Sequence, residues 1–276
     1  MSEQLNLIFK NLKLESFLKE LMSEYIELIL DEEDIVRNTA LRNVIDIIPD
    51  IAKRLDIDII YPTLKSIIND QSVKYSESIK EKIGLLVWNL KDFVSTEELE
   101  IFIKYYISVA ISQNEKDCID YIYNLPCITF ISEQLNYEKN KMCDIINFYC
   151  QNKSNAVRIS VSKCFHEFTS LYNKSSYKNL SSAFITLLKD NDIKVLETIF
   201  KNMSNILGNF SKDPTAKFND IAKEIVNAYH RCKNIAPLNW RAQKYIVKNF
   251  EFFPNIFSMD IINNHITPLI FNQLLD

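Results

Sequence analysis

The chain of 276 residues is acidic, with 32 lysines and arginines against 36 aspartates and glutamates and a formal net charge of −4, so it offers no excess of positive charge to a nucleic-acid backbone. Hydrophobic residues make up 47% of it and only two glycines occur, which supplies a core but disfavours β-hairpins and phosphate-binding loops. It contains no run of 18 apolar residues and no basic N-terminal segment followed by an apolar one, so we expect a cytoplasmic or nuclear protein without membrane contact.

Apolar residues at helical spacing predict a series of helical hairpins. The first helices of these hairpins are predicted to begin near Phe17, Ile57, Ser95, Lys139, Lys178 and Asp220. Ser95 and Glu98 have the spacing of a capping box, in which the serine hydroxyl and the carboxylate each bind a free backbone N–H. Most of the seven prolines, Pro49 among them, are expected where a helix starts or turns.

The predicted second helices carry a repeat. Four segments begin with a polar turn, continue with an apolar residue followed by a basic one, and then show apolar residues at helical spacing. The basic residues that align are Arg37, Arg158, Lys194 and Arg241. The 204 residues from Arg37 to Arg241 divide into five steps averaging about 41 residues, within the range for HEAT and armadillo repeats. Two weaker units, between Arg37 and Arg158, lack the basic residue.

These observations predict an all-α fold, an armadillo-like superhelical solenoid of about six HEAT-type hairpins with a terminal helix, because such hairpins bury their apolar faces only by stacking. We expect one array over residues 1–276. The predicted repeats span residues 15–52, 57–93, 95–135, 139–174, 177–212 and 217–256, and the terminal helix spans 260–275. Apolar helices at both ends predict that the array continues or buries its ends against a partner.

No pattern in the sequence indicates catalysis. None of the three histidines is paired with a serine, a cysteine or a carboxylate in a pattern that suggests a catalytic triad. No zinc-protease, nucleophile-elbow, P-loop or EF-hand motif occurs. The six cysteines lack metal-ligand spacing, so we expect buried free thiols in a reducing compartment. The sequence therefore predicts neither an enzyme nor any catalytic, cofactor-binding or metal-binding residue.

Candidate partner-binding residues lie in the predicted turns. Trp240 precedes Arg241 in the turn of the last complete hairpin, and tryptophan and arginine dominate binding hot spots. Burial of Trp240 between repeats is the competing interpretation, and both stay open. The basic residues Arg37, Arg158 and Lys194 complete this predicted set. Trp88, at the end of an apolar helix, is predicted to belong to the core.

Several motifs resemble a family. The segment VRNTALRNVIDIIPDIAKRLDIDIIYPTLKSIIND, from Val36, is similar to HEAT repeats of the scaffolding subunits of protein phosphatase 2A. The order of YNLP from Tyr123, VR at Val157, LLKD from Leu187 and NWR from Asn239 resembles regulatory subunits of protein phosphatase 4. The similarity spans roughly residues 30–260.

This resemblance implies a non-catalytic regulatory or scaffolding subunit that grips the catalytic subunit of a serine/threonine phosphatase with its turns, with phosphatase substrates as further partners. Trp240 and Arg241 match a tryptophan–arginine turn that such scaffolds use near the catalytic subunit. The chain departs from the family in having fewer repeats, and its second and third units lack the V-R pair.

Two other functions are compatible with a helical solenoid. A tubulin-binding or transport HEAT module is the alternative, although its turns would be expected to carry tryptophan and lysines where this chain has acidic or mixed turns. A helical-repeat DNA glycosylase would need a basic groove around a catalytic carboxylate, and the balance of charges gives no sign of one.

Overall fold

The computed structural model describes Leu7, Asn11 and residues 15–54, 57–69, 76–171, 174–212, 217–235 and 240–274. In these ranges the regular structure is helical, and no strand is formed. The predicted all-α repeat solenoid class is therefore confirmed. Among the helices so described, none combines the length and the hydropathy that a membrane span requires.

The helices follow the chain as alternating first and second members of hairpins. They are α1 (Glu15–Ile29), α2 (Asp34–Arg54), α3 (Tyr61–Asn69), α4 (Ser76–Leu90), α5 (Thr96–Ala110), α6 (Glu115–Gln134), α7 (Lys139–Cys150), α8 (Asn155–Leu171), α9 (Lys174–Leu188), α10 (Ile193–Phe210), α11 (Phe218–Ile235), α12 (Trp240–Phe250), α13 (Met259–Ile261) and α14 (Thr267–Leu274). Short 3-10 turns cover Ile57–Ile59 and Phe253–Asn255.

The predicted terminal helix is not one regular helix. A π-helical segment, Ile262–Ile266, separates α13 from α14. Pro268, the second residue of α14, has no N–H to donate to the carbonyl four residues earlier, which disturbs the α-helical ladder at this point. The end of the predicted segment, residue 275, lies outside the described residues.

The chain divides into two compact units. Unit 1 comprises Met1–Ser112 with Asp120–Tyr137, and unit 2 comprises Gln113–Ile119 with Glu138–Asp276. In unit 1, α2 packs on both α1 and α4. In unit 2 the second helices α8, α10 and α12 pack side by side, and the first helices α7, α9 and α11 form the adjacent layer. In unit 2, from α7 to α12, each helix also contacts its neighbours in sequence, as expected of stacked hairpins.

Polar side chains join consecutive second helices of unit 1 at the period of the repeat. Ser78 Oγ donates to Asn38 O at 3.0 Å across 40 residues of sequence. Asn89 Nδ2 donates to Ile45 O at 2.7 Å across 44 residues. The repeat of about 41 residues inferred from the sequence matches these separations.

Pro49 departs from its predicted position between helices, because it lies inside α2. A proline there has no N–H for the carbonyl four residues earlier, which is that of Ile45. Asn89 Nδ2 donates to this carbonyl instead. The neighbouring repeat thus satisfies the backbone group that proline leaves open, and the helix continues.

A cluster of phenylalanines forms part of the core of unit 2. Phe165, Phe184 and Phe210 are fully buried. The ring centroids of Phe165 and Phe184 lie 5.9 Å apart, and those of Phe184 and Phe210 lie 5.7 Å apart. Aromatic pairs at such distances add to the free energy of burial, so α8, α9 and α10 share one apolar core.

The cysteines are free thiols, as the sequence predicts. The buried ones are Cys118, Cys143, Cys150 and Cys232, and the half-buried ones are Cys127 and Cys164.

Candidate protein-binding surfaces

The arginines of the V-R turns close the turns of their own hairpins. Arg37 donates to the carbonyls of Asp31 at 2.7 Å and Glu32 at 3.1 Å, and it pairs with the Asp34 carboxylate. Arg158 Nη1 donates to the carbonyls six and five residues earlier, at 2.8 and 3.1 Å. Carbonyls in turns after helices lack helical partners, so each guanidinium stabilises the turn that precedes its helix.

Arg158 also reaches the turn of the next hairpin in unit 2. Its Nε and Nη2 donate to the Asp190 carboxylate at 2.6 and 3.1 Å, and only 5% of the Asp190 side chain is exposed. This bidentate hydrogen bond raises the pKa of Arg158. The Asn155 amide adds a second connection, donating to Asp192 Oδ2 at 2.8 Å.

The same row of turns extends to the start of α6, whose first residue is Glu115. Ser154 Oγ donates to Glu115 Oε2 at 2.5 Å. The turns before α6, α8 and α10 are thus joined one to the next within unit 2. We call the contacts of Glu115, Ser154, Asn155, Arg158, Asp190 and Asp192 the turn ladder.

Lys194 does not occupy the position of Arg158, which corrects the sequence alignment by two residues. The backbone N–H of Arg158 donates to Ser154 O, and the corresponding N–H that donates to Asp192 O belongs to Leu196. Asp192 is the N-cap of α10, with its side chain accepting from Lys194 N. Aligning the capping residues Ser154 and Asp192 pairs Arg158 with Leu196, whereas aligning the apolar-basic pairs had matched Arg158 with Lys194. The Lys194 side chain is exposed.

The remaining candidates from the sequence, Trp240 and Arg241, open α12. Their side chains lie outside those that the structure describes. Partner binding by Trp240, Arg241, Arg37, Arg158 and Lys194 stays a prediction. Of the three whose side chains are described, Arg37 is buried at 3% exposure, and Arg158 binds groups in the turns of two hairpins. Lys194 is the one of the three whose side chain is exposed.

The prediction that Trp88 belongs to the core is wrong, because 44% of the residue is exposed. The buried residues of α4 that surround it in sequence, Ile83, Leu86, Val87 and Leu90, form the stripe that faces the core. Trp88 and Leu85, which is 39% exposed, lie one turn apart beside this stripe. The periodicity itself therefore contained the signal that places Trp88 outside.

A second apolar row, on α6, is exposed at Tyr123 and half-buried at Cys127 and Phe130, and it lies against the row on α4. Tyr123, Cys127 and Phe130 are spaced at i, i+4 and i+7 and share a face of α6. The ring centroids of Trp88 and Phe130 lie 5.7 Å apart, and Tyr123 is 85% exposed. We call these five residues, Leu85, Trp88, Tyr123, Cys127 and Phe130, the Trp88 surface.

Gly84 allows α4 and α6 to approach closely beneath this surface. Its N–H donates to Asn124 Oδ1 at 2.9 Å, and Cys127 Sγ donates to Gly84 O at 3.1 Å. Burial raises the pKa of the Cys127 thiol to about 11, although the Lys91 charge acts in the opposite direction. The thiol is therefore protonated at neutral pH, where it serves as a packing group and not as a nucleophile.

Charged groups flank the Trp88 surface. Lys91 Nζ lies 4.7 Å from the centroid of the Trp88 ring, within the range of a cation–π contact. Further along α2 and α4, Arg42 Nε pairs with Glu81 at 2.8 Å. An exposed aromatic centre with a polar border is the usual anatomy of a protein-binding patch.

No protein-family model matches the sequence, and no curated protein matches it. Solved structures do match. An engineered protein aligns with a TM-score of 0.58 and 11% identity, over 83% of this chain and 95% of its own. A designed armadillo repeat protein in complex with the peptide (KR)4 aligns with a TM-score of 0.55 and 15% identity, over 83% of this chain and 98% of its own. Such identities establish the fold alone, which is that of armadillo-type helical repeats.

Proposed function

We propose that this chain is a non-catalytic scaffold that binds another protein through the Trp88 surface. The observation that carries the proposal is the 44% exposure of Trp88 on a fold built of stacked repeats. Contact between a large aromatic side chain and water is unfavourable, so a partner that covers the side chain gains free energy of binding. Trp88 and Tyr123 are also the residue types that most often act as binding anchors.

We propose further that the partner is the catalytic subunit of a serine/threonine phosphatase of the 2A or 4 type. The support for this partner is the sequence resemblance, in which the V-R turns and the N-W-R segment follow one another as in the regulatory subunits. Tyr123, the first residue of the Y-N-L-P segment that contributes to the resemblance, belongs to the Trp88 surface. Trp240 and Arg241 would provide a further contact.

Direct binding measurements with purified phosphatase catalytic subunits test both statements. We expect the intact chain to bind, the variant Trp88→Ala/Tyr123→Ala to bind at least about tenfold more weakly, and Ile111→Ala to bind as the unchanged protein does. Ile111 is a matched control, since it is 52% exposed and lies outside the Trp88 surface.

Each outcome has a distinct meaning. Absence of binding to either catalytic subunit would remove the phosphatase assignment, and saturable binding to purified tubulin would favour the alternative HEAT module. Binding that is equally strong in the Trp88→Ala/Tyr123→Ala variant would remove the Trp88 surface as the contact. The variant Trp240→Ala/Arg241→Ala tests the predicted turn contact separately.

A further inference from the structure

Unit 2 contains a cleft between its last two second helices, α10 and α12. It has a volume of about 530 Å³ and is open to solvent. Its lining combines aromatic rings, two lysines and amide side chains. The charges and the hydrogen-bonding groups of this lining define what the cleft can hold.

Asn249 presents a hydrogen-bond acceptor that the protein does not use. The residue lines the cleft and is 7% exposed. Its Nδ2 donates to Phe200 O at 2.9 Å and to Tyr245 O at 2.7 Å, which fixes the orientation of the amide. In the described part of the chain no group donates to its Oδ1. The oxygen therefore faces the cleft from a largely buried side chain of fixed orientation, and a ligand can donate an N–H to it.

Two lysines give the cleft a positive charge. Lys201 on α10 and Lys248 on α12 both line it and are exposed. Neither forms an ion pair with a carboxylate of the described residues. Glu251 is the single acidic residue of the lining. In a chain with a net charge of −4, this local excess of positive charge selects a ligand with carboxylates.

The apolar part of the lining is aromatic. Phe252 and Tyr245 are half-buried and line the cleft beside Phe200. Phe252 lies over Gly208 of α10, with its Cζ 3.5 Å from the place where a β-carbon of Gly208 would stand. An apolar side chain of a ligand would pack against the Phe252 and Tyr245 rings.

We propose that this cleft binds an extended acidic peptide segment of a partner protein. A backbone N–H of the segment donates to Asn249 Oδ1, its carboxylates pair with Lys201 and Lys248, and an apolar side chain packs between Phe252 and Tyr245. A free anion would satisfy the lysines alone, whereas a peptide satisfies all three features. The site belongs to unit 2, and the inference does not depend on what binds the Trp88 surface.

Fluorescence anisotropy with the full chain and the fluorescein-labelled peptide EEFEELEE tests the proposal. We expect saturable binding that weakens as salt rises, because ion pairs at an open cleft are screened. The variant Lys201→Glu/Lys248→Glu is expected to lower the affinity about tenfold or more. The control Lys217→Glu/Lys223→Glu changes the charge equally at exposed positions of unit 2 outside the cleft, and it is expected to change the affinity less than about twofold.

Three results would overturn the proposal. They are the absence of saturable binding at peptide concentrations up to about 1 mM, equal losses in the cleft variant and in its control, and equal binding of the uncharged peptide QQFQQLQQ. None of them bears on the Trp88 surface, so failure here leaves the proposed scaffold function to its own test.

Discussion

The amide side chain of Asn124 fills the space beside Gly84 that any larger residue at position 84 would need. A β-carbon at this position would lie 2.9 Å from Asn124 Oδ1 and 3.1 Å from Asn124 Cβ and the Asn124 carbonyl oxygen. The same asparagine donates from Nδ2 to Lys80 O at 2.7 Å. One residue of α6 therefore sets the distance between two helices by both contact and hydrogen bonding.

We expect Gly84→Ala to lower the free energy of unfolding by about 1 to 2 kcal/mol, because the overlap with Asn124 outweighs the gain in helix propensity. The chain supplies its own control. At Gly208 the nearest atom to a new β-carbon, Phe252 Cζ, is 3.5 Å away, so Gly208→Ala should leave stability unchanged or raise it by up to about 1 kcal/mol. Urea denaturation of both variants decides; a loss as large at Gly208 as at Gly84 would contradict the steric argument.

The ion pair of Arg158 with Asp190 is expected to show a large coupling energy. Arg158→Met and Asp190→Asn should each cost about 2 to 4 kcal/mol, since each leaves a largely buried polar partner unsatisfied. The double variant should cost less than the sum of the two. Arg158→Lys should not restore stability, because an ammonium cannot bind Asp190 and the turn carbonyls with the same planar geometry. Additive losses in the double-mutant cycle would disprove the coupling.

The Asp192 carboxylate makes stability depend on pH in the acid range. Burial alone would raise its pKa, but hydrogen bonds from Asn155 and from the backbone N–H groups of Lys194 and Val195, with the charge of Arg158, lower it. A carboxyl whose pKa is lower in the folded state stabilises the fold above its unfolded pKa, and this contribution disappears as pH falls through the folded pKa.

The variant Asp192→Asn should therefore be less stable than the unchanged protein at neutral pH, and the difference should shrink below about pH 4. Guanidinium denaturation at a series of pH values measures it. A difference in stability that is constant from pH 7 down to pH 3 would show that the charge of Asp192 contributes nothing.

Cys127 should react slowly with iodoacetamide in the folded protein. Its pKa of about 11, against an ordinary value of 9.0, lowers the thiolate fraction at pH 8 about a hundredfold. Mass spectrometry of the alkylated residue gives the rate, with the urea-unfolded chain as reference. Equal rates in the folded and unfolded protein would contradict the partial burial of this thiol at the contact between α4 and α6.

The sequence contained the repeat because local signals and tertiary packing agree there. The capping box predicted at Ser95 is present, with Glu98 N donating to Ser95 Oγ at 3.3 Å and Ser95 N donating to Glu98 Oε2 at 3.0 Å. The apolar stripes predicted the helices and their pairing. Both signals depend on spacing within one helix, which a sequence displays directly.

The candidate sites were harder to predict because they depend on contacts between repeats. The spacing of apolar residues within α4 places Trp88 outside the core, but its contact with Phe130 depends on how α6 packs on α4 through Gly84. The alignment of Lys194 failed because an apolar-basic pair occurs two residues before the true equivalent. The open acceptor on Asn249 depends on the carbonyl of Phe200, 49 residues earlier. No pattern within a single helix contains that information.

The arginines of the V-R turns also limit where residues can be inserted into this chain. Arg37 and Arg158 each bind carbonyls five and six residues earlier, so one residue inserted into either turn would carry those carbonyls out of reach. Surface loops ordinarily accept insertions and deletions readily. In these two turns the length is fixed instead, and an affinity tag or a fused domain would have to be inserted elsewhere.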